Sequence, residues 1–212
     1  MTTNRFFFVS LALAALVAGR AAEPAKRACC TAAEASPAVA IGAADAATLS
    51  SRSLYQLEAS WTNDAGVSIQ LAALRGRPVV LAMFFAHCEY ACPMLVADLQ
   101  HIRASLPADV RTKTQFVLVS FDSARDTPAA LKAYRQVRAL DGEWTLLHGD
   151  ANAVQDLAML LGVKFKQDAR GQFSHSNTIT VLNAEGEIAT QRNGLGGDIS
   201  ELTGAIVASA DK

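Results

Sequence analysis

Cys88 and Cys92 stand four residues apart, with Pro93 directly after them and the apolar run 78–85 (Pro-Val-Val-Leu-Ala-Met-Phe-Phe) just before. An unbroken apolar run of this kind fits a strand buried on both faces. Pro93 lacks an N–H and has a fixed φ, which suits the first turn of a helix. A helix is therefore expected from about Cys92 to Leu106-Pro107, with Leu95, Val96, Leu99 and Ile102 at helical spacing and Cys88 in the loop before it. Both sulfurs then face the positive end of a helix dipole, a setting expected to lower thiol pKa values. Thiolates bind soft metal ions and exchange disulfides.

The rest of the pattern alternates strand and helix. Residues 54–61 and 67–71 flank Thr62-Asn63-Asp64-Ala65-Gly66, a β-hairpin signal. Residues 116–121 read as a second buried strand, and Thr127-Pro128 caps and opens a helix to about Val137. A short strand over 144–147 precedes a helix over 151–161 that Gly162 ends. Residues 178–182 and 187–191 flank Asn183-Ala184-Glu185-Gly186 as a second hairpin, and a last helix starts at Asp198 or Ser200. This order describes an α/β domain with a central sheet flanked by helices and an N-terminal β-hairpin. No internal repeat or second domain is visible.

The 212 residues suit one core-bearing domain with some tail. A net charge of −1 without a basic cluster gives no basis for a nucleic-acid partner. Alanine supplies much of the 51% hydrophobic content, so composition overstates the core. Arg5 and the apolar stretch 6–18 have the form of a signal peptide, with small residues placing cleavage after Ala21. The domain reading is thus a signal peptide over 1–21, an Ala/Pro-rich disordered tether over 22–50 and a folded domain over 51–210. Lys26 and Arg27 disfavour lipid attachment at Cys29. Cys29-Cys30 reads either as incidental thiols or as a mobile metal-capturing pair. The chain is expected to be exported, periplasmic or membrane-tethered, facing an oxidising compartment where free thiols need a reason.

Three stretches occur in order: Cys88-Glu89-Tyr90-Ala91-Cys92-Pro93, then Asp122-Ser123-Ala124-Arg125-Asp126-Thr127-Pro128, then Phe173-Ser174-His175-Ser176. Together they resemble the Sco/SenC family of copper proteins linked to cytochrome c oxidase assembly, within the thioredoxin superfamily. The resemblance covers residues 54–208 and implies a thioredoxin-like fold with a central mixed sheet. It also implies a metallochaperone that holds one copper ion, Cu(I) or Cu(II), by Cys88, Cys92 and His175. The implied acceptor is a protein such as a cytochrome c oxidase subunit, with a thiol-reducing partner as a further contact and no small-molecule substrate. One departure stands out: family members carry Pro after the first motif cysteine, where this chain has Glu89.

The residue chemistry is compatible with that implication and with a rival. In a helical segment the Cα atoms of Cys88 and Cys92 lie roughly 6 Å apart, so the pair can close as a disulfide or face one ion. A thioredoxin-like topology turns the loop before the closing hairpin toward the dithiol, which would add His175. Two thiolates and one imidazole suit copper, whereas zinc normally takes a fourth ligand. The rival is a thiol–disulfide reductase, an enzyme. Against a general exchanger, the last proline is Pro128, so no proline stands at Ser176-Asn177 beside the dithiol. A peroxidase is disfavoured by Phe85-Ala86-His87, which replaces the Pro and Thr expected before a peroxidatic cysteine. Asp122 and Asp126 read as a helix cap with a local Arg125 pair, or with Glu89 as groups around the ligands. His87 reads as solvent-facing rather than a fourth ligand, His101 and His148 as non-ligands, and Tyr90 as a cover over the site. Gly194, Gly196 and Gly197 read as a loose loop, not a phosphate-binding turn.

Overall fold

The computed structural model describes residues 49–211. The expectations for the signal peptide, nearly all of the tether and Cys29-Cys30 lie outside these residues. The N-terminal hairpin pairs β1 (Trp61–Asn63) with β2 (Ser68–Ile69) and is shorter than the flanking apolar residues suggest. Leu54 and Tyr55 are buried by a 3-10 turn over Leu54–Gln56 instead of a strand, because Ser53 caps that turn through Tyr55 N–H. A second 3-10 turn, Leu71–Leu74, does the same on the far side.

The apolar run forms β3 (Val79–Phe84), every residue of which is buried. β3 pairs in parallel with β4 (Gln115–Ser120), and β4 in parallel with β5 (Trp144–His148). On its other side β3 pairs antiparallel with β8 (Thr178–Leu182), which pairs with β9 (Ile188–Asn193). With the hairpin on β5, the seven strands run β2-β1-β5-β4-β3-β8-β9, a mixed sheet. β3, whose C-terminal end leads into the loop that holds Cys88, sits inside that order with strands on both sides, so that end is a fixed platform.

Helix α1 (Ala91–Ser105) buries Cys92, Leu95, Val96, Leu99 and Ile102, a single stripe at i, i+3, i+4, i+7 and i+10. Helix α2 (Ala108–Lys113) starts just after Pro107 and was not foreseen from the sequence. Helix α3 (Pro128–Val137) is capped by the Thr127 hydroxyl, which accepts from Ala130 N–H. Helix α4 (Ala151–Leu161) is capped by Asp150 and stopped by Gly162 at φ 67°. Helix α5 (Ser200–Ala210) packs on β8 and β9. The layers and strand order are those of a thioredoxin-like fold.

One element stands apart. β6 (Phe165–Gln167) and β7 (Phe173–His175) form a separate two-stranded sheet, with Phe165 opposite His175. Among the described residues no helix is long and apolar enough to cross a membrane.

Candidate metal centre

Cys88 lies in the loop between β3 and α1, where its N–H bonds the carbonyl of Phe85 at 3.2 Å. Cys92 sits in the first turn of α1, and its own N–H donates to the Cys88 sulfur at 3.2 Å. This is the helix N-terminus meeting a sulfur, as the Pro93 argument anticipated. β7 ends at His175, whose Nε2 lies 3.8 Å from the Cys92 sulfur although 83 positions separate the two residues. One donor atom from each of Cys88, Cys92 and His175 falls within 4.8 Å of the others.

The orientation of the imidazole follows from its other nitrogen. His175 Nδ1 is 3.2 Å from the carbonyl of Ser176, which can only accept, so Nδ1 carries the proton and Nε2 presents its lone pair to the sulfurs. A ligating histidine ordinarily has its second nitrogen tied in this way. Burial lowers the His175 pKa, with the Ser176 bond opposing, so the ring stays neutral and able to donate near neutral pH. Its walls are aromatic: the ring centroid is 4.9 Å from Phe121 and 5.9 Å from Phe85. Phe173 and Phe165 close the cluster, each within reach of Phe121.

The thiols depart from expectation in one respect. Burial pushes the Cys92 thiol well above the ordinary cysteine pKa rather than below it. Cys92 heads the apolar stripe of α1 and is fully buried, so desolvation of a thiolate outweighs the helix dipole. Both cysteines are free, Cys88 partly exposed and Cys92 behind it. A metal ion entering this set displaces a proton from Cys92.

Asp126 is fully buried and accepts from Ala86 N–H at 2.7 Å and from the Ser120 hydroxyl at 2.6 Å. Its other oxygen is 3.1 Å from His87 Nδ1, so His87 is not simply solvent-facing: it is half exposed and tethered to this carboxylate. Asp122 is also buried and pairs with Arg125. His87, Asp122 and Asp126 form a second close group of ligating types. Three of the four carboxylate oxygens accept from Arg125, Ser120 and Ala86 N–H, and the fourth, Asp126 Oδ1, faces His87. This group ties the Cys88 loop to the loop after β4.

An open groove of about 630 Å³ leads to the cluster, lined by Cys88, Glu89, Tyr90, Phe173 and His175 among others. Glu89 is exposed on the rim and lies outside the close group of ligand atoms. Tyr90, expected to cover the site, stands 76% exposed at the same rim and leaves the groove open. His101 and His148 belong to neither close group. The glycine loop gives Asp98 a donor from Gly196 N–H at 2.7 Å, a structural tie to α1. Phe165 was not singled out in the sequence, and Phe173 only as part of the His175 stretch; the signal for their shared wall was two phenylalanines flanking the turn Asp168-Ala169-Arg170-Gly171.

The SCO1/SenC family model matches residues 49–209. A protein of Stutzerimonas stutzeri named as a candidate copper-binding protein is 30% identical over 141 residues, 65% of this chain and 67% of that one. The SCO1 protein homolog of Bacillus subtilis is 22% identical over 146 residues, 66% of this chain and 75% of that one. The solved structure of Bradyrhizobium japonicum ScoI with copper bound superposes with a TM-score of 0.61 at 21% identity, covering 71% of this chain and 96% of that one. At that identity the structural likeness establishes the fold.

Proposed function

Because the chain belongs to the SCO1/SenC family, we propose that it binds one copper ion through Cys88, Cys92 and His175 and hands that ion to an acceptor protein. The observation that carries this reading is the approach of His175 Nε2 to the Cys92 sulfur at 3.8 Å, with the opposite nitrogen tied to Ser176. Two sulfurs and one nitrogen are a soft donor set; thiolates favour Cu(I), and imidazole serves either oxidation state. Copper is cargo here, so the site must both hold and release it.

Release is built into the thiols. Burial favours the protonated form of Cys92, so loading expels a proton from its sulfur and unloading restores one. Cys88, partly exposed on the groove, is the sulfur that an incoming acceptor ligand reaches first. The acceptor we propose is a copper-site subunit of a terminal oxidase such as cytochrome c oxidase. Residues 1–21 would act as an export signal and 22–50 as a tether, placing the domain over 51–210 in an oxidising compartment, periplasmic or held at a membrane.

A second reading is favoured by the same thiol arrangement. A partly exposed cysteine backed by a buried one within hydrogen-bond reach is also the arrangement of a dithiol that reduces a target disulfide. Copper titration of the fully reduced protein separates the two, comparing native protein with His175→Ala. The copper reading expects one ion per chain and weakened Cu(II) binding in the variant. Equal affinities for both oxidation states in native and variant protein would remove His175 from the site and favour the reductase.

A further inference from the structure

The two ligand-bearing segments are joined by one polar chain, and Arg125 is its joint. At the dithiol end, Asp126 holds Ala86 N–H at 2.7 Å, two residues before Cys88, and takes the Ser120 hydroxyl at 2.6 Å. The Ser120 oxygen in turn accepts from Asp122 N–H at 3.0 Å. The Asp122 carboxylate pairs with the Arg125 guanidinium through Nε. The far arm of that guanidinium, Nη2, donates to the carbonyl of Gly171 at the tip of the β6–β7 hairpin. Arg125 also lies over the Phe173 ring, 5.9 Å from its centroid, and Phe173 packs against Phe85 and Phe121 beside His175.

Beyond its phenylalanine contacts with Phe85 and Phe121, the hairpin has few polar anchors. Its base is fixed by Ser176 N–H to the Lys164 carbonyl and by Lys164 N–H to the Ser176 hydroxyl, each at 2.9 Å. Its tip turn is internally bonded through Asp168. Its strands have no partner in the seven-stranded sheet. Gly171 sits at φ 76°, a left-handed conformation that favours glycine in this turn. Arg125 reaches His175 through strand β7 itself: the guanidinium covers Phe173, two residues before His175 on the same three-residue strand.

We infer that Arg125 is a positioning residue for the metal centre: by bridging Asp122 and Gly171 it fixes the hairpin that sets how far His175 stands from the dithiol. Metal–ligand distances hold to within about 0.2 Å, so a small shift of β7 is enough to weaken the imidazole bond. The dithiol does not depend on this bridge, because Asp126 holds the Ala86 end of the chain independently. Loss of Arg125 therefore weakens the hold on His175 and leaves the two sulfurs in place.

The test has a metal-free arm and a copper arm, and only the copper arm rests on the function proposed above. In the metal-free reduced protein, the ring-current-shifted imidazole signals of His175 are followed by NMR in native protein and in Arg125→Gln. The inference expects the signals to move toward those of a free histidine, since the ring leaves Phe121 and Phe85. In the copper arm, Cu(II) affinity should fall about tenfold, the scale seen for partners that orient ligands, while Cu(I) affinity holds within about twofold. Arg125→Lys keeps the charge and the alkyl stem but lacks the planar fork, so it should give an intermediate Cu(II) affinity. That variant also serves if Arg125→Gln fails to fold. A purely structural arginine would lower the melting temperature without moving the His175 signals or the ratio of the two copper affinities, and that result overturns the inference. Native protein that binds no copper would sink the proposed function, while the NMR arm would still decide the role of Arg125.

Discussion

The two halves of the candidate centre are built in different ways. The sulfurs belong to the core: Cys88 follows the fully buried β3, and Cys92 heads the apolar stripe of α1. The imidazole belongs to a separate two-stranded sheet, held by a cluster of phenylalanines and a few polar ties. One half is fixed by the packing that folds the domain; the other is an arm laid against it. A site built in this way has its sulfurs set by the core and its nitrogen set by the arm.

The largest effect is expected on the core side. Cys92→Ser should abolish tight Cu(I) binding, because a hydroxyl is a poor ligand for a soft ion. It should also cost about 1–3 kcal/mol of stability, as the hydroxyl is buried in an apolar stripe. Competition with a chromogenic Cu(I) chelator and urea denaturation read the two losses; retention of tight binding would remove Cys92 from the ligand set.

Asp126→Asn comes next and tests whether the dithiol loop is as independent as the comparison claims. Its carboxylate oxygens accept from Ala86, Ser120 and His87 in a buried setting. Replacing one oxygen by a donor should cost about 1–3 kcal/mol. Hydrogen exchange should show the added opening at residues 86–88, with the β6–β7 amides unchanged. Opening spread equally over both segments would mean that the two halves are one unit.

His175→Ala should act on the arm alone. Cu(II) affinity falls more than Cu(I) affinity, and the Cys88–Cys92 couple still cycles between thiol and disulfide, since that bond needs only the two sulfurs. Thiol trapping beside copper titration checks both statements. Loss of disulfide cycling in a folded His175→Ala protein would contradict the division.

The smallest effect is on pH stability, and the two halves give opposite limbs. Burial raises the Cys92 thiol and the phenols of Tyr55 and Tyr134 above their ordinary values. Above about pH 9 the unfolded chain sheds these protons while the native chain keeps them, so stability falls as pH rises, by up to about 1.4 kcal/mol per pH unit for each proton retained. Burial lowers His175, so below about pH 6.5 the unfolded chain takes a proton that the native chain refuses, and stability falls as pH drops. Denaturation midpoints across pH should lose the acid contribution in His175→Ala and keep the alkaline limb. An unchanged acid limb would place His175 outside the buried cluster.

The core half was more legible in the sequence than the arm, for physical reasons. A run such as 79–84 can only be a covered strand, and Thr127-Pro128 or Asp150 with Gly162 are caps that act locally. The burial of Cys92 was legible too, since it shares a stripe with Leu95, Val96, Leu99 and Ile102, and that burial outweighs the helix dipole and raises its thiol pKa. The β6–β7 hairpin left little trace, because three-residue strands are too short to show alternation. Nothing local marks the bond from Ala86 to Asp126, 40 positions away, or from Arg125 to Gly171, 46 positions away. His175 entered the expected ligand set through the family resemblance rather than through its own neighbours, since it stands 83 positions from Cys92.

X-ray absorption at the copper edge of the Cu(I)-loaded protein tests the central claim most directly. The account predicts a shell of two sulfurs with one imidazole nitrogen, reduced to the two sulfurs alone in His175→Ala. A spectrum from which the imidazole contribution is missing in native protein, or persists unchanged in His175→Ala, would contradict a single centre made of Cys88, Cys92 and His175.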